Sequence, residues 1–496
     1  MAAIKSGVTL ADLLPDLKLP SSIGKFVPSD ITLDSRQVVD GGIFCALDGH
    51  TVKREHYVPQ AIHAGAAVIL RQAHDGVARV HDSKSNACIV IELADLRGAL
   101  GAIASRFFNQ PSAAMTIVGV TGTNGKTSCV ELIAQCLRFL GQKTASLGTL
   151  GWSVDNGQYH STGLTTLDAV ENQRVLARFR EQNIAYVAME VSSHGIAQQR
   201  IAGIDYAYQA FTNLSRDHLD FHTDMQSYAE VKASFFNSDA VKIVNSDDAT
   251  GALIASRHPQ CFTYSLRENS NAPYKVQSCD LSAAGIKAKI QTPTQRLRIS
   301  APLIGEFNLS NLLIVIAVLE QCGFSKNDIE AALSHVHPVV GRLEKVIAGG
   351  KTPQKHVYID YAHTPDALKQ ALLALREHYA GRLIVVFGCG GDRDRGKRPL
   401  MAEVAQAFAD TIIVTSDNPR TESPQAIIDD IVAGLDRKND FYCEINRSTA
   451  ISLALSLANE YDVVLIAGKG HENYQEINGV RTPFSDYDEV ARHLKS

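Results

Sequence analysis

The chain contains no C-x-x-C pair. Its nine cysteines stand singly at 45, 88, 129, 136, 261, 279, 322, 389 and 443. Zinc-ribbon and dithiol redox motifs are thereby excluded, and free buried thiols in a reducing compartment are the expectation. No apolar run reaches the ~18 residues of a membrane-spanning helix. The first thirty residues hold Asp12, Asp16 and several prolines but no long apolar stretch. No signal peptide is expected, and the protein is expected to be soluble and cytoplasmic. A basic excess is missing too: 48 Lys and Arg face 53 Asp and Glu, for a net charge of −5. That argues against a general nucleic-acid coat, so neither nucleic acid nor membrane is expected as a partner. There is no short-period repeat, no low-complexity tract and no H-E-x-x-H zinc pattern. What remains can bury a core, since 45% of the residues are hydrophobic and 20% charged. A length of 496 residues suggests about three domains.

One more absence concerns a glycine. In "IVGVTGTNGKTS" (117–128) an apolar strand meets a glycine-rich turn and Gly-Lys-Thr. The usual P-loop has four residues between its first glycine and Gly-Lys. Here five separate Gly119 from Gly125, and Val120 stands where the glycine would be. Phosphate binding still follows from the remaining features. Gly122 and Gly125 permit positive φ and let backbone N–H groups turn to an anion. The helix that follows aims its positive end at the same place. Lys126 can neutralise outer phosphates, and the Thr127 hydroxyl can hold Mg²⁺. An ordinary strand–turn–helix corner is the weaker alternative.

Apolar runs and helical stretches alternate along the chain, which predicts an α/β protein with mainly parallel sheets. Three segments are expected, 1–110, 111–338 and 339–496. In the first, a strand is expected at 86–93 and a helix at 96–108 ended by Pro111. In the second, "MTIVGV", "AYVAMEV", "YQAFTNL" and "AVKIVN" are strands, added strands occupy 275–304, and 305–323 is a helix ended by Gly323. In the third, "KHVYIDY", "RLIVVFG", "TIIVTSD" and "DVVLIAG" form a second parallel sheet.

Polar loops follow several of these strands. Glu190 ends one, where open α/β sheets place ligands, and a carboxylate there could hold Mg²⁺. Asp217, His218, Asp220 and His222 crowd six residues. Mg²⁺ prefers oxygen, so composition alone does not make His218 a ligand. Lys232 lies on a helix, where an exposed lysine is the plain expectation. "GCGGDRDRGKRP" (388–399) is either an anion-binding turn or a solvated charged loop. With "DYAHTPDA", "SDNPRTE" and "AGKGHE" it implies a pocket at one sheet edge.

TGTNGKT, MEVSSHG, NLSRDHLD, FNLSNLL, GRLE, DYAHTPDAL, GCGGDRDRGKRP, DNPR and GKGHE occur in that order over nearly the whole chain. Together they resemble the Mur ligases, and within that family the ligases that add diaminopimelate. The family carries the five-residue glycine spacing. The resemblance implies a three-domain architecture with a central P-loop-type ATPase sheet and a C-terminal Rossmann-like sheet. Residues 1–110 would bind the UDP end of the substrate, 111–338 ATP, and 339–496 the incoming amino acid. The implied reaction adds meso-diaminopimelate to the D-Glu γ-carboxylate of UDP-N-acetylmuramoyl-L-Ala-D-Glu through an acyl phosphate. The implied partners are these small molecules, and a monomer is expected.

The resemblance also assigns residues. Gly122, Thr123, Asn124, Gly125, Lys126, Thr127 and Ser128, with Asn308, Arg342 and Asp360, match nucleotide-binding positions. Thr127 and Glu190 match the site of one Mg²⁺. His218 and Lys232 match a second, where the family's lysine is carboxylated by CO₂; a carbamate turns a cation into an oxygen ligand. Leu33, Ser35 and His50 match uridine contacts. Thr165, Thr166, Ser192, Gln198 and Arg200 match contacts to the muramoyl-dipeptide. Arg393 and the run Asp417, Asn418, Pro419 and Arg420, with Gly468 and Glu472, match the amino-acid site. There the arginines would clamp the distal carboxylate, and Asp417 and Glu472 would hold an ammonium. A nucleotide switch and a ligase-like binding protein with a dead site are the competing classes. Intact Lys126, Glu190, His218 and Lys232 disfavour the latter. Folylpolyglutamate synthases share the loop and fold, but DNPR and GKGHE disfavour them.

Overall fold

The computed structural model describes residues 7–49, 54–82, 88–155, 157–282, 284–346, 356–436 and 441–495. The chain forms two compact units, one of residues 1–119 with 142–209 and one of 120–141 with 210–496.

The first unit holds a five-stranded sheet in the order Ile31–Thr32, Gly42–Ala46, Ala66–Gln72, Ile89–Leu93, Arg79–Asp82. All neighbours are parallel except the last pair. Helix Leu96–Phe107 covers one face through Leu100, Ile103 and Phe107. This helix ends before Pro111. The chain turns at Asn109 and Gln110, with φ of 59° and 47°, and Pro111 instead opens a short 3₁₀ turn. The same unit holds strand Tyr186–Glu190, parallel to Thr144–Gly148, which continues antiparallel into Gly151–Asp155. Helix Ala169–Glu181 packs on it through Val175, Leu176 and Phe179.

In the second unit, Val241–Asn245, Phe262–Ser265 and Tyr274–Ser282 run parallel, and the last leads into an antiparallel meander with Gly285–Gln291 and Arg296–Ala301. Helix Glu306–Gln321 is buried on every side from Leu312 to Leu319, as its apolar run requires, and Gly323 beyond its end has φ of 87°.

A six-stranded sheet completes this unit, in the order Glu344–Lys345, His356–Asp360, Val463–Ala467, Leu383–Phe387, Thr411–Thr415, Phe441–Glu444. Only the first strand is antiparallel to its neighbour. Its central runs, such as LIVVF and VVLIA, are buried on both faces. Alternation along each strand feeds two helical layers. Leu383, Val385 and Phe387 meet Leu372, Met401 and Ile428, whereas Ile384 and Val386 meet Ile451, Ala454 and Val490. Loops leaving the C-terminal ends of parallel strands therefore share one edge.

Under that edge Arg447 and Asp486 form a fully buried pair, with Nε–Oδ1 at 2.7 Å. Arg447 also donates to the carbonyls of Ser416 and Ala467, at 3.4 and 3.0 Å. Asp486→Ala would strand this guanidinium. We expect a loss of about 3–5 kcal/mol, read as a lower urea midpoint by circular dichroism.

All nine cysteines are free, as expected of thiols without pairs, but Cys279 and Cys443 are exposed rather than buried. Among the described residues no helix is long and apolar enough to cross a membrane.

Candidate active site

In the first unit one hydrogen-bonded cluster forms at the end of strand Tyr186–Glu190. Glu190 is 1% exposed. Its Oε1 accepts from the Thr149 backbone N–H at 2.7 Å, and its Oε2 from the Thr149 hydroxyl at 3.1 Å. That hydroxyl also lies 3.1 Å from the Thr165 hydroxyl. The Thr166 hydroxyl donates to the Glu190 carbonyl and accepts from the Ser192 N–H, both at 3.0 Å. Ser192 caps the short helix Ser193–Ala197. Arg200 grips the Gln198 side chain with Nε and Nη2, at 2.9 and 2.6 Å, and donates from Nη1 to the Thr166 carbonyl. Burial, with Arg97 nearby, lowers the Arg200 pKa against the pull of Asp168. The structure thus joins Glu190, Thr165, Thr166, Ser192, Gln198 and Arg200, residues scattered over 36 positions. Thr149 belongs with them and was not singled out from sequence. Leu33 and Ser35 are buried, and the Ser35 hydroxyl donates to the Gln60 side chain at 3.0 Å. His50 lies outside the described residues.

In the second unit the glycine loop is fixed by its neighbours. Gly122 has φ of 148°, and a Cβ there would fall 1.8 Å from the Thr212 hydroxyl. Gly125 has φ of 85° and stands at the N-cap of helix Lys126–Phe139, where it supplies no side-chain acceptor. The helix start can thus face an anion. Asn124 donates from its backbone to Asn213 Oδ1 at 3.0 Å, and its carbonyl accepts from Thr212 at 2.6 Å. The Thr123 hydroxyl accepts from the Ser215 N–H at 3.0 Å. Lys126 Nζ folds back onto the carbonyls of Gly122 and Thr123, at 2.9 and 2.8 Å. The Thr127 hydroxyl accepts from Arg342 Nη2 at 2.9 Å, and Ser128 is buried behind it.

Lys232 corrects the plain expectation of an exposed helix lysine, being only 1% exposed. Tyr228 and Lys232 are one helical turn apart on the buried face of helix Met225–Ser234. Nζ lies 4.9 Å from the Tyr228 ring centre and donates to the Gly122 carbonyl at 2.8 Å, the acceptor that Lys126 also uses. Burial, then the nearby Lys126 charge, pushes the Lys232 pKa well down, against the pull of Asp217. His218 is held at φ of 55° with its Nε2 3.4 Å from Asp217 Oδ2. His363 Nε2 and Lys397 Nζ approach the same carboxylate, at 3.5 and 3.8 Å. Burial opposes ionisation of Asp217, yet His363, His218 and Lys397 hold its pKa well below the usual carboxylate range.

Arg342 lies over the Tyr361 ring at 4.5 Å. Asp360 accepts from the backbone N–H groups of Leu343 and Ala362, at 2.5 and 2.7 Å, although burial pushes its pKa up. Asn308 donates to the Ile304 carbonyl at 2.8 Å and accepts from Asn311 at 3.2 Å.

At the edge of the six-stranded sheet, Asp417, Asn418 and Pro419 are buried, and Arg420 is half-buried with φ of 52°. Arg420 donates from Nη1 to the Gly391 carbonyl at 2.7 Å. Asn418 donates to Glu472 Oε2 at 2.7 Å. Gly468 has φ of 114° and begins the turn that brings Glu472 in. Lys469 stands between Asp417 and Glu472. The charged run after strand Leu383–Phe387 divides into two roles. Arg398 is fully buried on Glu422 and Asp430, and Lys397 faces Asp217. Arg393 is exposed and donates from Nη1 to the Asp392 carbonyl at 3.1 Å. The sequence motifs give His363 and Lys469 no role of their own, and Lys397 only a place in the charged turn 388–399. A lysine two residues after a buried strand is the signal for Lys469.

Comparison with known proteins adds to this geometry. The Mur ligase middle domain matches residues 120–319, and the Mur ligase, glutamate ligase domain matches 341–470. A Coxiella burnetii protein named UDP-N-acetylmuramoyl-L-alanyl-D-glutamate–2,6-diaminopimelate ligase is 41% identical over 99% of this chain and 100% of its own length. A Xylella fastidiosa protein of the same name is 42% identical over 99% of this chain and 98% of its own. A solved structure of a protein so named superposes with a TM-score of 0.70 at 35% identity, covering 98% of this chain and 99% of that one.

Proposed function

The chain belongs to the Mur ligase family, and from that premise we propose that it joins meso-diaminopimelate to the D-Glu γ-carboxylate of UDP-N-acetylmuramoyl-L-Ala-D-Glu, at the expense of ATP, in peptidoglycan precursor synthesis. We assign UDP binding to residues 1–110, ATP to 111–338 and the amino acid to 339–496. The enzyme in this reading is a cytoplasmic monomer.

A carboxylate is a poor acyl donor. Its oxygen attacks the γ-phosphorus of ATP, the bond to the bridging oxygen breaks, and ADP leaves. The resulting acyl phosphate is attacked by the amine nitrogen of diaminopimelate. The tetrahedral oxyanion collapses, phosphate departs, the nitrogen loses a proton and an amide remains. Two anions must meet in the first step, so cationic groups lower its barrier.

In the first unit the buried cluster around Glu190 is our candidate for the muramoyl-dipeptide contacts, through Thr165, Thr166, Ser192, Gln198 and Arg200. We assign Leu33, Ser35 and His50 to the uridine. Glu190 offers carboxylate oxygens to Mg²⁺. In the second unit the loop 122–128, with Lys126 as its cation, takes the phosphates of ATP, and Asn308, Arg342 and Asp360 the rest of the nucleotide. Thr127 offers an oxygen to Mg²⁺, and His218 with a carbamate on Lys232 offers a second site. Among the described residues no group of three or more His, Cys, Asp or Glu is arranged to hold a metal ion. The donor set fits Mg²⁺, which takes one or two protein oxygens and otherwise water and phosphate. When bound, Mg²⁺ supplies charge neutralisation for the transferring phosphoryl group.

The observation that carries the amino-acid choice is the edge of the six-stranded sheet. Arg420 and, further out, Arg393 provide cations there, Asp417 provides a buried carboxylate and Glu472 a half-buried one. Diaminopimelate has both a distal carboxylate and a distal ammonium; lysine has only the ammonium. With lysine bound, the Arg420 guanidinium would lack an anionic partner. Hydrogen bonds to a charged group contribute about 1.5–3 kcal/mol each, so two of them favour diaminopimelate by about a hundredfold or more. Arg420→Ala should raise the KM for diaminopimelate by about that factor, leave the KM for ATP unchanged and narrow the preference over lysine. Phosphate release with each amino acid, in wild type and variant, measures this. Equal use of lysine by the wild type would leave the family and overturn the substrate.

A further inference from the structure

Lys469 is fully buried, and its polar partners belong to the edge just described. Its Nζ donates to Asn418 Oδ1 at 3.0 Å and to Glu472 Oε2 at 3.2 Å, and lies 3.6 Å from Asp417 Oδ1. The Asn418 side chain closes the ring by donating to Glu472 Oε2 at 2.7 Å. The same Asn418 Oδ1 accepts from the Glu476 N–H at 3.0 Å, which ties the ring to the hairpin Tyr474–Ile477 and Val480–Pro483. One ammonium thus sits between two carboxylates and a carboxamide, all on loops that leave neighbouring parts of one sheet. Two carboxylates less one ammonium leave a single negative charge.

We propose that Lys469 is the positioning residue of the amino-acid site: its ammonium locks Asp417, Asn418 and Glu472 together and leaves charge for one substrate ammonium. This rests on the assignment of Asp417 and Glu472 to the amino acid. Lys469 does not itself reach the reacting atoms. It acts through the carboxylates, which without it would repel each other.

The consequence is a pH-dependent defect when the cation is removed. Glu472 already has its pKa raised, by burial and then by Asp417, while Lys469 and the Asn418 hydrogen bond pull it down. The other groups facing it remain: Tyr361 and Tyr474, with Arg342, Arg420 and Arg481 beyond them, and the Arg447–Asp486 pair beneath. Without Lys469, Glu472 relieves the repulsion by taking a proton. A neutral carboxyl no longer holds a substrate ammonium, so binding fails at low pH and returns as pH rises and Glu472 ionises.

The test is the KM for diaminopimelate of Lys469→Met, against wild type, from about pH 6.5 to 8.5, below the titration of the substrate amines. We expect a KM raised about tenfold or more near pH 7, falling toward wild type at the upper end, with kcat and the KM for ATP little changed. Lys469→Gln, which keeps a donor but no charge, is measured beside it and carries the test if the methionine variant does not fold. A variant KM at the wild-type value, or raised by one factor at every pH while only the melting temperature moves, overturns the proposal. Which amino acid the enzyme uses is read on wild type alone. The role of Lys469 is read on the variant-to-wild-type ratio with whichever amino acid that is.

Discussion

With Lys126 replaced by alanine, amide synthesis should fall by about a thousandfold or more while the chain still folds. The half-buried side chain contributes little to the core, and its ammonium spends its hydrogen bonds on the Gly122 and Thr123 carbonyls. Those carbonyls belong to the loop whose N–H groups would face the phosphates. The lysine can leave them for the outer phosphates without any backbone change, because Gly122 and Gly125 already hold their positive φ and Thr212 and Asn213 already brace Asn124. Alanine starts a helix as well as lysine does, so helix Lys126–Phe139 survives. What is lost is the cation that offsets the meeting of a carboxylate with ATP. Phosphate release and thermal melting are measured on the same preparation. Turnover at the wild-type rate would remove the loop from ATP binding, and a collapsed melt would show the side chain to be structural instead.

What could be read from sequence was whatever depends on local order. Strand–turn–helix succession around Gly122, the buried runs at 383–387 and 463–467, and the polar loops after them are all local patterns. They placed the sheet edge where Asp417, Arg420 and Glu472 lie. Burial of a charged residue is not local. Lys232 reads as an exposed helix lysine because its own helix has no strong apolar face; only the fold brings Gly122 over it. Lys469 is illegible for the same reason, since its partners Asp417 and Asn418 stand some fifty residues earlier. Thr149 joins Glu190 across two neighbouring parallel strands, a pairing that no motif spells out. The charged run 388–399 reads equally as an anion site and as a solvated loop. It proves to be mostly neither, because Arg398 and Lys397 are consumed by Glu422, Asp430 and Asp217 within the protein.

Lys232→Ala should be nearly inactive, by about a thousandfold, and small carboxylates such as formate or acetate should restore part of the loss. Lys232 is buried, and among the described residues it has no ion-pair partner within hydrogen-bonding reach. A lone ammonium in such a place is costly, and Lys126 on the same carbonyl makes it more so. Burial and the Lys126 charge both shift the balance toward the neutral amine, and a neutral amine is a nucleophile toward CO₂. The nitrogen–carbon bond forms, one C=O electron pair moves to oxygen, and the nitrogen releases a proton. The product is a carbamate, an anion with two oxygens, next to the Lys126 charge that had opposed the ammonium. The electrostatics that disfavour the lysine therefore favour its adduct, and the oxygens answer the preference of Mg²⁺ for hard ligands. Lys232→Arg separates this from a need for positive charge. Arginine keeps the cation and cannot form the adduct, so it should be as inactive as alanine. Activity in the arginine variant, or a nucleotide-bound crystal with an unmodified Lys232 remote from any metal, would leave the carbamate without support.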